Sequence, residues 1–187
     1  MQDDLKKALE VLQNGGTILY ATDTIWGVGC DATNAKAIEK VYRIKFRTAE
    51  KSLIILADSM NMIEKYVADV PELARELVES YKDPLTIIYN KARKLPKNLI
   101  PNDGTIAIRI PKDEFCLKLI GMLGKPITST SANLSGEPNP LTFSKVSPKI
   151  KEAVDYICKT NQSRVNTIKP STILKVNDDG QIQILRN

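Results

Sequence analysis

The feature that most constrains this chain is the brevity of its β-prone runs and their irregular spacing. Thr17–Ala21, Ser52–Ala57, Leu85–Tyr89, Thr105–Ile110 and Pro126–Thr130 are each five or six residues long and rich in β-branched and aromatic side chains. Two more, 172–176 and 181–185, are joined by the turn-forming Asn177-Asp-Asp-Gly180. In Thr105–Ile110 the residues alternate, so Ile106, Ile108 and Ile110 face one way and Thr105, Ala107 and Arg109 the other. Helical spacing appears at 3–13 (Leu5, Ala8, Leu12), stopped by Gly15-Gly16, and after Asn34, where Ala37, Ile38, Val41 and Tyr42 form one face. Pro71 opens a helix to 81 at the favoured first-turn position, and 113–123 suits another. Some runs follow one another directly and others follow a helix. That order predicts a single α/β domain over 1–187 with a mixed sheet, not a regular Rossmann or barrel repeat.

Composition narrows the chemistry. Among 187 residues there is no histidine. Ser-His-Asp and Cys-His catalysis, histidine-ligated zinc and a histidine pH switch are therefore excluded. Cys30, Cys116 and Cys158 are odd in number, widely spaced and without a C-x-x-C pair, which reads as reduced thiols. The N-terminus has no apolar signal core, and the densest apolar run, Leu53–Ala57, is too short for a membrane span. The expected setting is the cytoplasm. The net charge of +5 is uneven: Lys36, Lys40, Arg43, Lys45, Arg47 and Lys51 face only Glu39 and Glu50, and Lys91, Arg93, Lys94 and Lys97 form a second basic cluster. A solvated face or an anionic partner would both explain such runs.

Three segments carry unusual chemistry. Ala21–Gly29 is read as a loop, with the Thr22 and Thr24 hydroxyls on one side and Gly27 and Gly29 allowing close approach; a tight turn whose threonines satisfy local backbone is the alternative. Lys45-Phe46-Arg47 with Lys51 combines bidentate and point-charge donors suited to phosphate or carboxylate, or else decorates a solvated helix end. Thr128–Gly136 holds five hydroxyls and an amide in nine residues directly after a strand. Such a segment offers hydroxyl and N–H donors to phosphate oxygens. Neither a G-x-G-x-x-G nor a P-loop pattern is present.

Taken together, the motifs resemble the YrdC/TsaC family, the L-threonylcarbamoyladenylate synthases. The family's P-T-E-T-x-Y-G-L-x stands as Ala21-Thr22-Asp23-Thr24-Ile25-Trp26-Gly27-Val28-Gly29. Its K-x-R-x-x-x-x-P-L stands as Lys45-Phe46-Arg47 with Lys51-Ser52-Leu53. Its basic strand is Ile106–Pro111 around Arg109. Its S-A-N-x-S-G-x-P is Ser131-Ala132-Asn133, Ser135-Gly136 and Pro138, and its P-S-T-[IV] is Pro170-Ser171-Thr172-Ile173, followed by Arg186. The departures are Ala21 for proline, Trp26 for tyrosine, Phe46 and Thr48 in place of a glycine and a proline, Thr130 where many members have proline, and Leu56 where some long members have histidine.

The resemblance implies a twisted mixed sheet curving around a concave, positively charged cavity. It implies the short, single-domain form of an enzyme converting ATP, L-threonine and bicarbonate to L-threonylcarbamoyladenylate and pyrophosphate, a nucleotidyl transfer that begins threonylcarbamoyladenosine formation in tRNA. The product would pass to a separate transferase complex. Lys45, Arg47, Lys51, Thr105, Ser131, Asn133, Asn139 and Arg186 would contact ATP, with Lys45 and Arg47 catalytic. Thr24, Arg109, Ser129 and Ser171 would hold threonine or its carbamate. Magnesium would arrive on the triphosphate, without a resident metal site. Two other readings stand beside it: a tRNA or double-stranded RNA binding module without catalysis, and the carbamoyl-adenylate domain of hydrogenase-maturation proteins. Few aromatics accompany the basic runs, which disfavours base stacking in the first. The short chain leaves no room for the extra domains of the second.

Overall fold

A computed structural model describes residues 1–46, 53–165, 170–177 and 179–186. In chain order the elements are α1 (Gln2–Gln13), β1 (Ile18–Ala21), β2 (Trp26–Gly29), α2 (Ala35–Ile44), β3 (Ile54–Leu56), α3 (Met60–Tyr66), α4 (Glu72–Ser80), β4 (Leu85–Tyr89) and β5 (Ile106–Arg109). Then come α5 (Glu114–Leu123), β6 (Ile127–Ser131), a 3-10 turn (Phe143–Lys145), α6 (Pro148–Ala153), β7 (Tyr156–Ile157), β8 (Thr172–Val176) and β9 (Ile182–Arg186). Among the described residues the strands form one sheet in the order β7-β1-β2-β6-β3-β5-β4-β8-β9. The pairs β1/β7, β3/β5 and β4/β8 are parallel and the others antiparallel, so the sheet is mixed, as the irregular order of the runs requires.

Local sequence explains the helix ends. The Asn34 side chain accepts from Ala37 N at the start of α2, Ser59 from Met62 N at α3, and Asp113 from Cys116 N at α5. Gly124 closes α5 at φ 68°, a left-handed position that suits glycine. Ala37, Ile38, Val41 and Tyr42 are buried on the core side of α2. Pro71 is the N-cap of α4, one place before the expected first-turn position, because its ψ of 141° is extended.

One reading needs correction. Trp26–Gly29 is a strand, not part of a loop. It pairs with β1 through Tyr20↔Gly27 and with β6 through Gly27↔Ser131. Two glycines in four residues hide the β signal, yet the packing demands them. A Cβ on Gly29 would stand 2.1 Å from the Thr128 carbonyl oxygen. The Tyr20 ring covers both glycines and donates its hydroxyl to that same carbonyl at 3.2 Å.

No helix among the described residues is long and apolar enough to cross a membrane. All three cysteines are free and buried. Burial pushes the Cys30 thiol up to about 12 and raises Cys116 and Cys158 as well, so none offers a thiolate near neutral pH.

Candidate active site

The site begins with a sheet face that carries small side chains. Along β5, Ile106 and Ile108 enter the core while Ala107 and Arg109 turn to the opposite face. The neighbouring strands present Gly27 from β2, Ser129 and Ser131 from β6, Ile54 from β3, Ile88 from β4 and Ile173 from β8 on the same side. Glycine, alanine and serine cannot fill the space above a sheet, so a cavity of about 310 Å³ remains. Its rim adds Thr24, Asn139, Ser171 and Arg186.

Arg109 is 5% exposed. Its Nη1 donates to Asp23 Oδ1 at 3.0 Å and Thr24 Oγ1 at 3.1 Å. Asp23 is fixed in turn, accepting from Lys112 N through its other oxygen. The Thr22 hydroxyl ties the intervening turn, donating to Ile25 O at 2.7 Å and accepting from Thr24 N and Ile25 N. Thr22 therefore satisfies local backbone, while Thr24 serves Arg109. The side-chain hydrogen bonds of Arg109 to described residues all run through Nη1, so its other guanidinium donors keep capacity for a ligand in the cavity that Arg109 lines.

Arg186 reaches the same cavity from β9. Its Nε donates to Ser171 O at 3.0 Å and its Nη2 to Ser171 Oγ at 3.3 Å. Partial burial, then the nearby Arg109 guanidinium, push the Arg186 pKa below its ordinary value. A guanidinium disfavoured in this way by a second one lining the same cavity would be relieved by an anion between them.

Lys45 does not itself line the cavity; it caps α2 at 2% exposure. Its Nζ donates to Asn133 Oδ1 at 3.0 Å and to the backbone carbonyls of Ser131 and Asn133. Ser131 Oγ also donates to Asn133 Oδ1, and Asn133 Nδ2 donates to Glu137 O. The S-A-N segment is thus a tight turn wrapped on a buried ammonium.

Thr24, Arg109, Ser129, Ser131, Asn139, Ser171 and Arg186 are brought together by the cavity. Lys45 and Asn133 do not line it, but both bond to Ser131, which does. Thr105 stands apart at the start of β5, with its hydroxyl and N–H on Asp103 Oδ1 at 2.8 and 3.1 Å. Arg47 and Lys51 lie outside the described residues. Sequence reasoning did not place Asp23 or Thr86 in the site. The signals were available: an acid between two threonines, and a hydroxyl inside an apolar strand.

The fold and cavity define an α/β protein whose mixed sheet carries a cavity lined by two arginines and several hydroxyls. Comparison with known proteins agrees. The chain belongs to the Sua5, YciO and YrdC family, whose model, described as telomere recombination, matches residues 10–187. A protein of Methanocaldococcus jannaschii is 38% identical over 98% of this chain and 87% of its own length. The threonylcarbamoyl-AMP synthase of Pseudoalteromonas translucida is 34% identical over 92% of each chain. The crystal structure of Pyrococcus abyssi Sua5 complexed with L-threonine superposes with a TM-score of 0.88 at 27% identity over 97% of this chain, which spans 53% of that longer chain.

Proposed function

We propose that this protein is an L-threonylcarbamoyladenylate synthase. In this reading MgATP and L-threonine enter the cavity as substrates, together with bicarbonate. The threonine amine adds to carbon dioxide with loss of a proton, or to bicarbonate with loss of water, to give a carbamate. A carbamate oxygen attacks the α-phosphorus, and pyrophosphate leaves with the electron pair of the broken P–O bond. Such a reaction needs positioning and neutralisation of anionic oxygens more than a titrating base, which suits a chain without histidine. Arg109, Thr24, Ser129 and Ser171 hold threonine and its carbamate. Arg186, Asn139 and Ser131 meet the nucleotide, with Arg47, Lys51 and Thr105 assigned to it by family resemblance. Lys45 acts with Asn133 by shaping the S-A-N turn beneath the phosphates.

The observation that carries the reading is the convergence of Arg109 and Arg186 on one cavity with hydroxyls from the β1–β2 turn, β6 and the segment before β8. The names of the relatives support it, as does the relative solved with L-threonine. Arg109 and Arg186 line the cavity while the basic runs around Lys36–Arg43 and Lys91–Lys97 lie exposed; because the relatives bear the name of an enzyme, the RNA-binding alternative is not adopted. The product would feed a transferase acting on tRNA in the cytoplasm. The test is pyrophosphate release from MgATP and bicarbonate with and without L-threonine, with L-serine as control. Release that depends on threonine supports the reading; release equal with and without it overturns it.

A further inference from the structure

Thr86 lies in the middle of β4, between Arg109 of β5 and Ile173 of β8 in the sheet register, and is fully buried. A hydroxyl at such a position needs a partner. Among the described residues that partner is Ser171 Oγ, at 2.8 Å. Ser171 also receives Arg186: Nη2 donates to its hydroxyl oxygen and Nε to its carbonyl. Thr86 is thus the inner end of a chain that runs through Ser171 to the cavity.

The direction of this chain follows from proton counting. A hydroxyl has one proton and two acceptor positions. If Ser171 gave its proton to Thr86, the Thr86 proton would be left buried without an acceptor, which is costly. If Thr86 donates, it is satisfied, and the two acceptor positions of Ser171 are filled by Thr86 and Arg186. The Ser171 proton is then turned toward the cavity that Ser171 lines. We propose that Thr86 is a positioning residue that fixes the Ser171 hydroxyl as a donor to an anionic oxygen of the amino-acid substrate. This rests on the functional reading above and adds to it which hydroxyl donates, and why.

Thr86→Val removes the hydroxyl at nearly constant volume; Thr86→Ser keeps it. The expected result is a rise of about tenfold in KM for L-threonine in Thr86→Val, the size of one lost hydrogen bond to a charged group. KM for ATP should change by less than about twofold, and Thr86→Ser should restore the wild-type value. Ser171→Ala should match Thr86→Val, and the double variant should be no worse than Ser171→Ala. An unchanged KM in Thr86→Val, or additive effects in the double variant, overturns the proposal. Inorganic phosphate separates this outcome from failure of the functional reading. If the wild-type protein shows no threonine-dependent turnover, its thermal stabilisation by phosphate is measured instead. Weaker stabilisation in Thr86→Val, restored in Thr86→Ser, retains the relay while the reaction is abandoned. No phosphate stabilisation in the wild type, or equal stabilisation in all three proteins, overturns the relay as well.

Discussion

The Lys45 ammonium, 88 residues from Asn133 in sequence, donates to the Asn133 side-chain oxygen at 3.0 Å and to the carbonyls of the turn that carries it. One buried cation therefore couples the end of α2 to the S-A-N turn.

Removing that cation should cost stability as well as activity. Lys45→Met removes the ammonium from three oxygens, of which Asn133 Oδ1 keeps the Ser131 hydroxyl. A loss of about 2–4 kcal/mol is expected, which lowers the unfolding midpoint by roughly 5–15 °C for a chain of this size. Differential scanning calorimetry decides. A variant that is inactive yet as stable as the wild type would make Lys45 a ligand contact alone.

Arg109 and Asp23 form a pair at 3.0 Å with both side chains nearly buried. Arg109→Ala leaves the Asp23 charge without its partner and should destabilise by about 3–5 kcal/mol in urea unfolding. Asp23→Ala combined with Arg109→Ala should recover part of that loss, because the orphaned charge is gone. Arg109→Lys should not restore substrate binding, since one ammonium cannot hold Asp23 and a substrate carboxylate as the guanidinium fork can. A double variant as unstable as the sum of the single ones would contradict this pairing.

Asp4 gives the protein an acid-sensitive joint between α1 and the segment after β7. Burial pushes its carboxyl up, but hydrogen bonds from Thr160, Tyr156 and the Lys159 and Thr160 N–H groups outweigh burial and hold it below 3.8. A carboxyl lowered by folding stabilises above its unfolded pKa, and this stabilisation disappears as pH falls through the folded value. Stability should decline as the pH drops below about 4. Asp4→Asn should be less stable by about 2–3 kcal/mol at pH 7 and show a flatter acid limb. Parallel acid limbs in the two proteins would refute it.

Gly29→Ala places a methyl group 2.1 Å from the Thr128 carbonyl, inside the β2/β6 region of the ladder. The strands must separate, at about 1–3 kcal/mol, read as a fall in the unfolding midpoint of roughly 4–10 °C. Gly121→Ala is the control: it lies in α5, where the added Cβ meets Asp58 at an ordinary 3.5 Å, and should be neutral or stabilising.

Much of this architecture was legible in the sequence. The runs at 85–89, 105–110 and 172–176 alternate or read as apolar β segments, and each became a strand in the sheet. Asn34 was legible as a cap because its side chain acts locally. What escaped depends on distant partners. β7 is only two residues long and exists by pairing with β1, while β2 is masked by glycines that Tyr20 and Thr128 require. The site followed the same division. Motif residues such as Arg109 and Ser171 could be named from the chain. Asp23 and Thr86 matter because of groups 86 and 85 residues away. The replaced glycine of the K-G-R pattern also has a physical consequence. Phe46 adopts φ 47°, in the left-handed region that favours glycine, with its ring 76% exposed.

The central claim is that this cavity joins threonine, a one-carbon unit and the adenylyl group in a single product. The most direct measurement follows radiolabelled bicarbonate into nucleotide, separated by chromatography, with wild-type protein and Arg109→Ala. The label should enter an adenylate only when ATP and L-threonine are both present, and Arg109→Ala should reduce it about 30-fold or more. Label entering nucleotide without threonine, or equal labelling by both proteins, would contradict the account.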